Sequence, residues 1–155
     1  MRLAVAAALC VAAGCTGLGV FKAYPGSDRG RDEIAVVSTT LREETFSITD
    51  NRITAVDSAR DEKGAYDAHM LPGAHRVGLQ GTLRVSRQVR VQYCAFDLNA
   101  EPGCTYRPTV PGYPRAQLDQ PADAEWRVTR SMTVVAECSD TTFAVQVSLD
   151  CASRP

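Results

Sequence analysis

Cysteine is the residue type with most chemistry to offer in this chain. Six occur in 155 residues, at positions 10, 15, 94, 104, 138 and 151, against only two histidines. Cys94, Cys104, Cys138 and Cys151 form no Cys-x-x-Cys pair and no cluster with histidine, so they do not suit zinc, whose ligands come in closely spaced pairs. In an exported chain four such cysteines read as two disulfides, each worth about 2–4 kcal/mol. Nucleophilic catalysis would need a serine or cysteine beside a base, and neither a Gly-x-Ser-x-Gly elbow nor a Ser-x-x-Lys signature is present. Asp57, Asp61, Glu62 and Asp67 gather around Gly64, but their spacing does not match a twelve-residue calcium loop closed by glutamate. They read as a solvated polar loop. No catalytic residue, metal or cofactor is expected, and the chain reads as a non-enzyme.

The elements that position these groups start at the amino terminus. Arg2 precedes an unbroken run of small and apolar residues from Leu3 to Ala13. Eleven residues at ~1.5 Å each reach about 16 Å, half of a bilayer core, which suits an export signal rather than a membrane span. The run ends in Ala12-Ala13-Gly14-Cys15, which resembles the lipobox of bacterial lipoproteins. Small residues let the backbone lie extended in a peptidase groove. The Cys15 thiol would then take a diacylglyceryl group, and its freed amine a further acyl chain. At ~0.8 kcal/mol per buried CH₂, several chains anchor where one binds only reversibly. Residues 1–14 are thus expected to be removed with Cys10, and Cys15 to be the lipidation site. The alternative is ordinary signal-peptidase cleavage and a soluble secreted product. Thr16 follows the anchor; the absence of aspartate there favours the outer membrane, facing the periplasm.

Composition narrows the partners. The 17 basic and 18 acidic residues nearly cancel, leaving no basic stripe for nucleic acid and no like-charge tail. The expected partners are the membrane, through the acyl chains on Cys15, and an envelope protein. Tyr24, Tyr93, Tyr106, Tyr113 and Trp126 either fill the core or include a sugar-stacking platform.

Residues 15–32 lack periodicity and contain Tyr24-Pro25-Gly26, so they are read as an extended or mobile tether. Residues 33–155 are read as a single domain in which period two dominates. Ile34 to Val37, Arg52 to Asp57, Tyr66 to Leu71, Ala74 to Leu79, Val85 to Leu98, Thr129 to Ala136 and Phe143 to Leu149 are candidate strands. Short β-branched runs broken by Gly, Pro, Asn and Asp predict an all-β fold, a small antiparallel sandwich or open barrel stapled by disulfides. Leu41 to Phe46 and Pro121 to Trp126 are candidates for one or two helical turns, and Pro108 to Asp123, with four prolines, for an irregular loop.

Strand geometry bears on the disulfide pairing. If residues 100–103 form a tight hairpin loop, Asn99 faces Cys104 and Cys94 lies about 17 Å away, at ~3.3 Å per residue. A disulfide needs Cα atoms within ~7 Å. The same reasoning acts against Cys138–Cys151 across a turn at Ser139 to Thr142. Pairings that join the two hairpins are favoured, in either combination. Pro72-Gly73 and Pro102-Gly103 predict turns with a positive φ at glycine, and His75, alternating with Val77, is expected to be half-buried on a backbone carbonyl.

Several stretches together resemble a group of small bacterial envelope lipoproteins. They are the lipobox, Tyr24-Pro25-Gly26, Asp32 to Val36, Ile53 to Asp57, Leu71-Pro72-Gly73-Ala74-His75-Arg76-Val77 and Leu98 to Tyr106. The Pro-Gly-x-His element is also similar to a strand turn of carbohydrate-associated β-sandwich repeats. The resemblance runs from Cys15 to Tyr106 and departs at Ser58, where the group has glycine. It implies no activity and no ligand-binding residue. The resulting expectation is a lipid-anchored interaction or structural module of the envelope. The rival is a periplasmic inhibitor of a lysozyme-type cell-wall hydrolase, inserting residues 108–123 into the enzyme's cleft.

Overall fold

The computed structural model describes residues 19–39, 42–44, 47–85, 87–113, 118–121 and 123–154. The signal segment 1–14 and Cys15 lie outside the described residues. Eleven strands are described: β1 Phe21–Lys22, β2 Ala35–Ser38, β3 Arg42–Glu44, β4 Ser47–Val56, β5 Ala59–Ala65, β6 Asp67–Met70, β7 Gly73–Val85, β8 Gln88–Ala100, β9 Thr105–Thr109, β10 Arg127–Glu137 and β11 Thr142–Ala152. They form one nearly closed, barrel-like sheet in the order β1-β6-β2-β9-β10-β11-β8-β7-β4-β3, with β5 on β4. The expected all-β, disulfide-stapled fold is the fold observed. No described helix is long and apolar enough to cross a membrane.

Alternation builds the barrel. Along the neighbouring strands β7 and β8, Val77 and Leu79 lie beside Cys94, Phe96, Leu98 and Ala100 on the inner face, while Arg76, Gln80, Tyr93 and Asp97 turn outward. Met132 and Val134 of β10, Leu149 of β11, Tyr106 of β9, Val37 of β2 and Ile53 of β4 complete the same core. Burial of each large apolar side chain contributes about 1.5–3 kcal/mol. Tyr106 is 1% exposed, and its hydroxyl accepts the Glu101 N–H at 2.7 Å, which satisfies the one polar atom it carries inward.

Near-closure depends on a bent strand. β5 pairs with β4, β6 pairs with β2, and Tyr66 alone separates them. Buried Thr39 fastens this seam: its N–H donates to the Tyr66 carbonyl at 2.7 Å, and its hydroxyl donates to the Asn51 carbonyl at 2.7 Å. Gly64, at φ +69°, sits where a Cβ would come within 2.8 Å of Arg52 Cβ, so the bend requires glycine.

Five expectations are corrected. Arg42–Glu44 is strand β3 rather than a helical turn. The carboxylate group is no loop: Asp57 sits in the β4–β5 turn, Asp61 and Glu62 on β5 and Asp67 on β6. A strand so polar is stable because β4 supplies its hydrogen bonds while only its last residues, Gly64 and Ala65, are buried. Pro108 and Thr109 extend β9 instead of opening the loop, with Pro108 opposite Val134. β8 and β9 are not a hairpin, because β10 and β11 stand between them. Finally, part of the tether is packed: Phe21 and Tyr24 are buried, β1 pairs with β6, and Tyr24 covers Ile34, Val36 and Leu71. At Pro121 to Trp126 the described residues show a single turn, closed by Ala124 N–H on the Pro121 carbonyl.

Candidate functional site

The four cysteines of the folded domain are all consumed in cross-strand bonds, Cys94–Cys151 and Cys104–Cys138. Cys94 and Cys151 are direct partners of the β8–β11 ladder, with Cα atoms 4.0 Å apart. Cys104 and Cys138 extend the β9–β10 register by one residue beyond Thr105 and Glu137, with Cα atoms 4.2 Å apart. The expectation of bridges between the β8–β9 and β10–β11 stretches holds, but for a different reason: β9 and β8 flank the β10–β11 hairpin on opposite sides. Glu101 approaches the sulfurs of Cys104 and Cys138 within 4.8 Å. With both sulfurs in a disulfide, no thiolate is left there to bind a metal.

His75 is half-buried, as its alternation with Val77 predicts. One ring nitrogen lies 2.7 Å from the Leu71 carbonyl. The other contacts Asp57 Oδ2 at 2.7 Å, a partner that strand periodicity did not reveal. Asp57 holds φ +52°, the left-handed conformation that Asp tolerates better than most residues and that glycine would adopt freely. Its Oδ1 accepts the Arg76 N–H at 2.8 Å, so the turn is clamped onto β7. That backbone bond, then the His75 contact, holds the Asp57 carboxyl below the usual carboxylate range. The tandem Ile53-to-Asp57 and Pro-Gly-x-His stretches carry both partners, and only the fold brings them together.

The aromatic candidates separate by environment. Tyr24 and Tyr106 are buried. Tyr113 meets Trp126 edge to face at 5.7 Å, and burial pushes the Tyr113 hydroxyl up to about 12. Tyr93 instead lines an outer cleft of about 610 Å³.

That cleft lies on the outer face of β4, β7, β8, β11 and β10. Its floor follows one cross-strand row, Gly78 on β7, Ala95 on β8, Asp150 on β11 and Thr129 on β10. Glycine and alanine leave the row shallow, and Tyr93 and Ala152 continue it in a second row toward Arg127. Around the floor stand Arg60 of β5, Arg76 of β7, Arg127 of β10 and Arg154 beyond β11. Asp150 is the one carboxylate in the lining. It bonds Arg76 at 3.3 Å and the Thr129 hydroxyl at 2.9 Å. Arg76 also reaches Asp97 at 3.0 Å, and these two carboxylates raise its pKa further. Arg154 pairs with Glu125 at 3.3 Å. Arg60 and Arg127 are exposed, and their side chains make no hydrogen bond or ion pair with any described residue. Such a surface can bind oxyanions through guanidinium forks. The four arginines sit at outward strand or tail positions, where each alone reads as an ordinary solvated charge.

Comparison of the chain with known protein families, with curated proteins and with solved structures yields no match.

Proposed function

We propose that this chain is an exported, lipid-anchored β domain of the bacterial envelope that acts as a non-enzymatic binding module. Acyl chains on Cys15 hold it at the membrane, on the periplasmic face of the outer membrane, and the domain presents its outer surface to a partner or ligand. The observation that carries this reading is the complete pairing of Cys94 with Cys151 and Cys104 with Cys138. Two cross-strand disulfides suit an oxidising compartment outside the cytoplasm. They also leave Cys15, at the end of the apolar run, as the sulfur available for acylation once residues 1–14 are removed. The non-enzymatic part of the reading is supported by His75, both of whose ring nitrogens are engaged by the Asp57 carboxylate and the Leu71 carbonyl.

The test is Cys15→Ser expressed in a bacterial host. The wild-type protein is expected in the membrane fraction, and the variant is expected to remain unprocessed and unacylated. A variant that is cut after Gly14 and still membrane-bound would contradict the anchor. The inhibitor alternative has one candidate loop, residues 108–123. Its first two residues belong to β9, and residues 114–117 and 122 lie outside the described residues.

A further inference from the structure

We infer that the outer cleft is a binding site for a ligand bearing several oxyanions, carboxylate or phosphate, held by Arg60 and Arg127. This deepens the binding-module reading and rests on it, but it does not depend on the lipid anchor.

Three features of the cleft converge. Its volume of about 610 Å³ falls within the ~300–1,000 Å³ of small-ligand sites. Its charge is one-sided, four arginines against Asp150, in a chain that is nearly neutral as a whole. Its arginines also divide into two kinds. Arg76 and Arg154 are engaged by Asp97, Asp150 and Glu125. Arg60 and Arg127 have no carboxylate partner among the described residues, although both border the same floor.

Arg60 and Arg127 stand toward opposite ends of the cleft, because the register runs from Arg60 through Ala55, Gly78, Ala95 and Asp150 to Thr129, across five strand spacings. An extended multivalent anion meets both and accepts their forked N–H donors. The floor fits the same occupant. Gly78 and Ala95 leave room for a ligand to lie against the sheet, and Tyr93 offers a ring face or edge beside it. The shared chemistry has two sources, an acidic saccharide and a phosphate-bearing chain.

The experiment is calorimetric titration of the purified protein, disulfides intact, with three probes. Trigalacturonate carries carboxylates on a sugar chain, tripolyphosphate carries charge without sugar, and maltotriose carries sugar without charge. Binding of either anion, weakened by added salt, supports the site, and the stronger of the two identifies the source. In the Arg60→Ala/Arg127→Ala double variant that affinity should fall about tenfold or more, while Arg29→Ala, outside the cleft, should leave it unchanged. Unchanged circular dichroism and thermal midpoint of the double variant separate lost binding from lost fold. Three outcomes overturn the assignment: neither anion binds, maltotriose binds as well as trigalacturonate, or the double variant binds the anion like the wild type.

Discussion

Cys94 and Cys151 face one another within the short ladder that joins β8 to β11. These strands have 13 and 11 residues, yet they pair only from Tyr93 to Phe96 against Leu149 to Ala152. The disulfide therefore fastens a short ladder that joins the β9–β10–β11 part of the sheet to the β8–β7–β4 part. Loss of the bond would let the barrel wall open there first.

Removing this bridge should cost stability in proportion to the chain it closes. The Cys94–Cys151 bond spans 57 residues and Cys104–Cys138 spans 34. Chain entropy gives about 4 kcal/mol for each, slightly more for the former. Cys94→Ala/Cys151→Ala should accordingly lower the urea midpoint at least as far as Cys104→Ala/Cys138→Ala. A Cys94/Cys151 variant with wild-type stability would contradict the role given to that ladder.

Asp57 should make the fold acid-sensitive. Its folded pKa lies below the usual value of 3.8, chiefly through the Arg76 N–H and then through His75. The stability it contributes is therefore complete above the unfolded pKa and is lost as pH falls through the lower folded value. Asp57→Ala removes both acceptors and should destabilise by about 1–2 kcal/mol at neutral pH, with a shallower loss of stability in acid. Urea unfolding of both proteins across the acid range reads both effects.

His69 titrates in a different window. Burial, and then the nearby Arg31, lower its pKa from 6.5, so the folded state favours the neutral ring. Stability from this group is present above 6.5 and declines as pH falls from there through the folded pKa. The ring resonances should titrate with a midpoint below 6.5, and His69→Gln should flatten the dependence of stability on pH in that interval. A midpoint above 6.5 would contradict the burial of this ring.

Gly81 lies in register between Asn51 on β4 and Gln92 on β8. An added Cβ would stand 2.8 Å from Gln92 Nε2 and 3.0 Å from Asn51 Oδ1. Gln92 is 1% exposed, and neither its amide oxygen nor its nitrogen has a hydrogen-bond partner. Gly81→Ala should thus cost about 1–3 kcal/mol through overpacking, and less when Gln92→Ala makes room. Gln92→Met should be neutral or stabilising by about 1 kcal/mol, because it removes two unsatisfied buried atoms at similar volume. Thermal unfolding of the four variants completes the cycle.

Legibility in the sequence follows the physics of alternation. β8 and β11 were readable because Cys94, Phe96 and Leu98, and Val147 and Leu149, recur with period two over long strands. β5 was not: Arg60-Asp61-Glu62-Lys63 has the composition of a loop and becomes a strand only because β4 offers it a ladder. β9 was hidden by Pro108, and β1 by the tether-like composition around Tyr24-Pro25-Gly26. The pairing of His75 with Asp57 joins residues 18 apart across a turn and a strand. The arginine cleft draws on β5, β7, β10 and Arg154, two residues beyond β11, an assembly that no local pattern encodes. The bridges could be narrowed to links between two stretches, while the choice between the two combinations waited on the sheet order.

The most direct measurement of the central claim is the intact mass of the protein extracted from membranes, before and after reduction. The account predicts a chain beginning at Cys15, heavier by a diacylglyceryl group and an acyl chain, that gains four hydrogens when Cys94–Cys151 and Cys104–Cys138 are reduced. A chain without lipid mass, or one that reduction leaves unchanged, would contradict it.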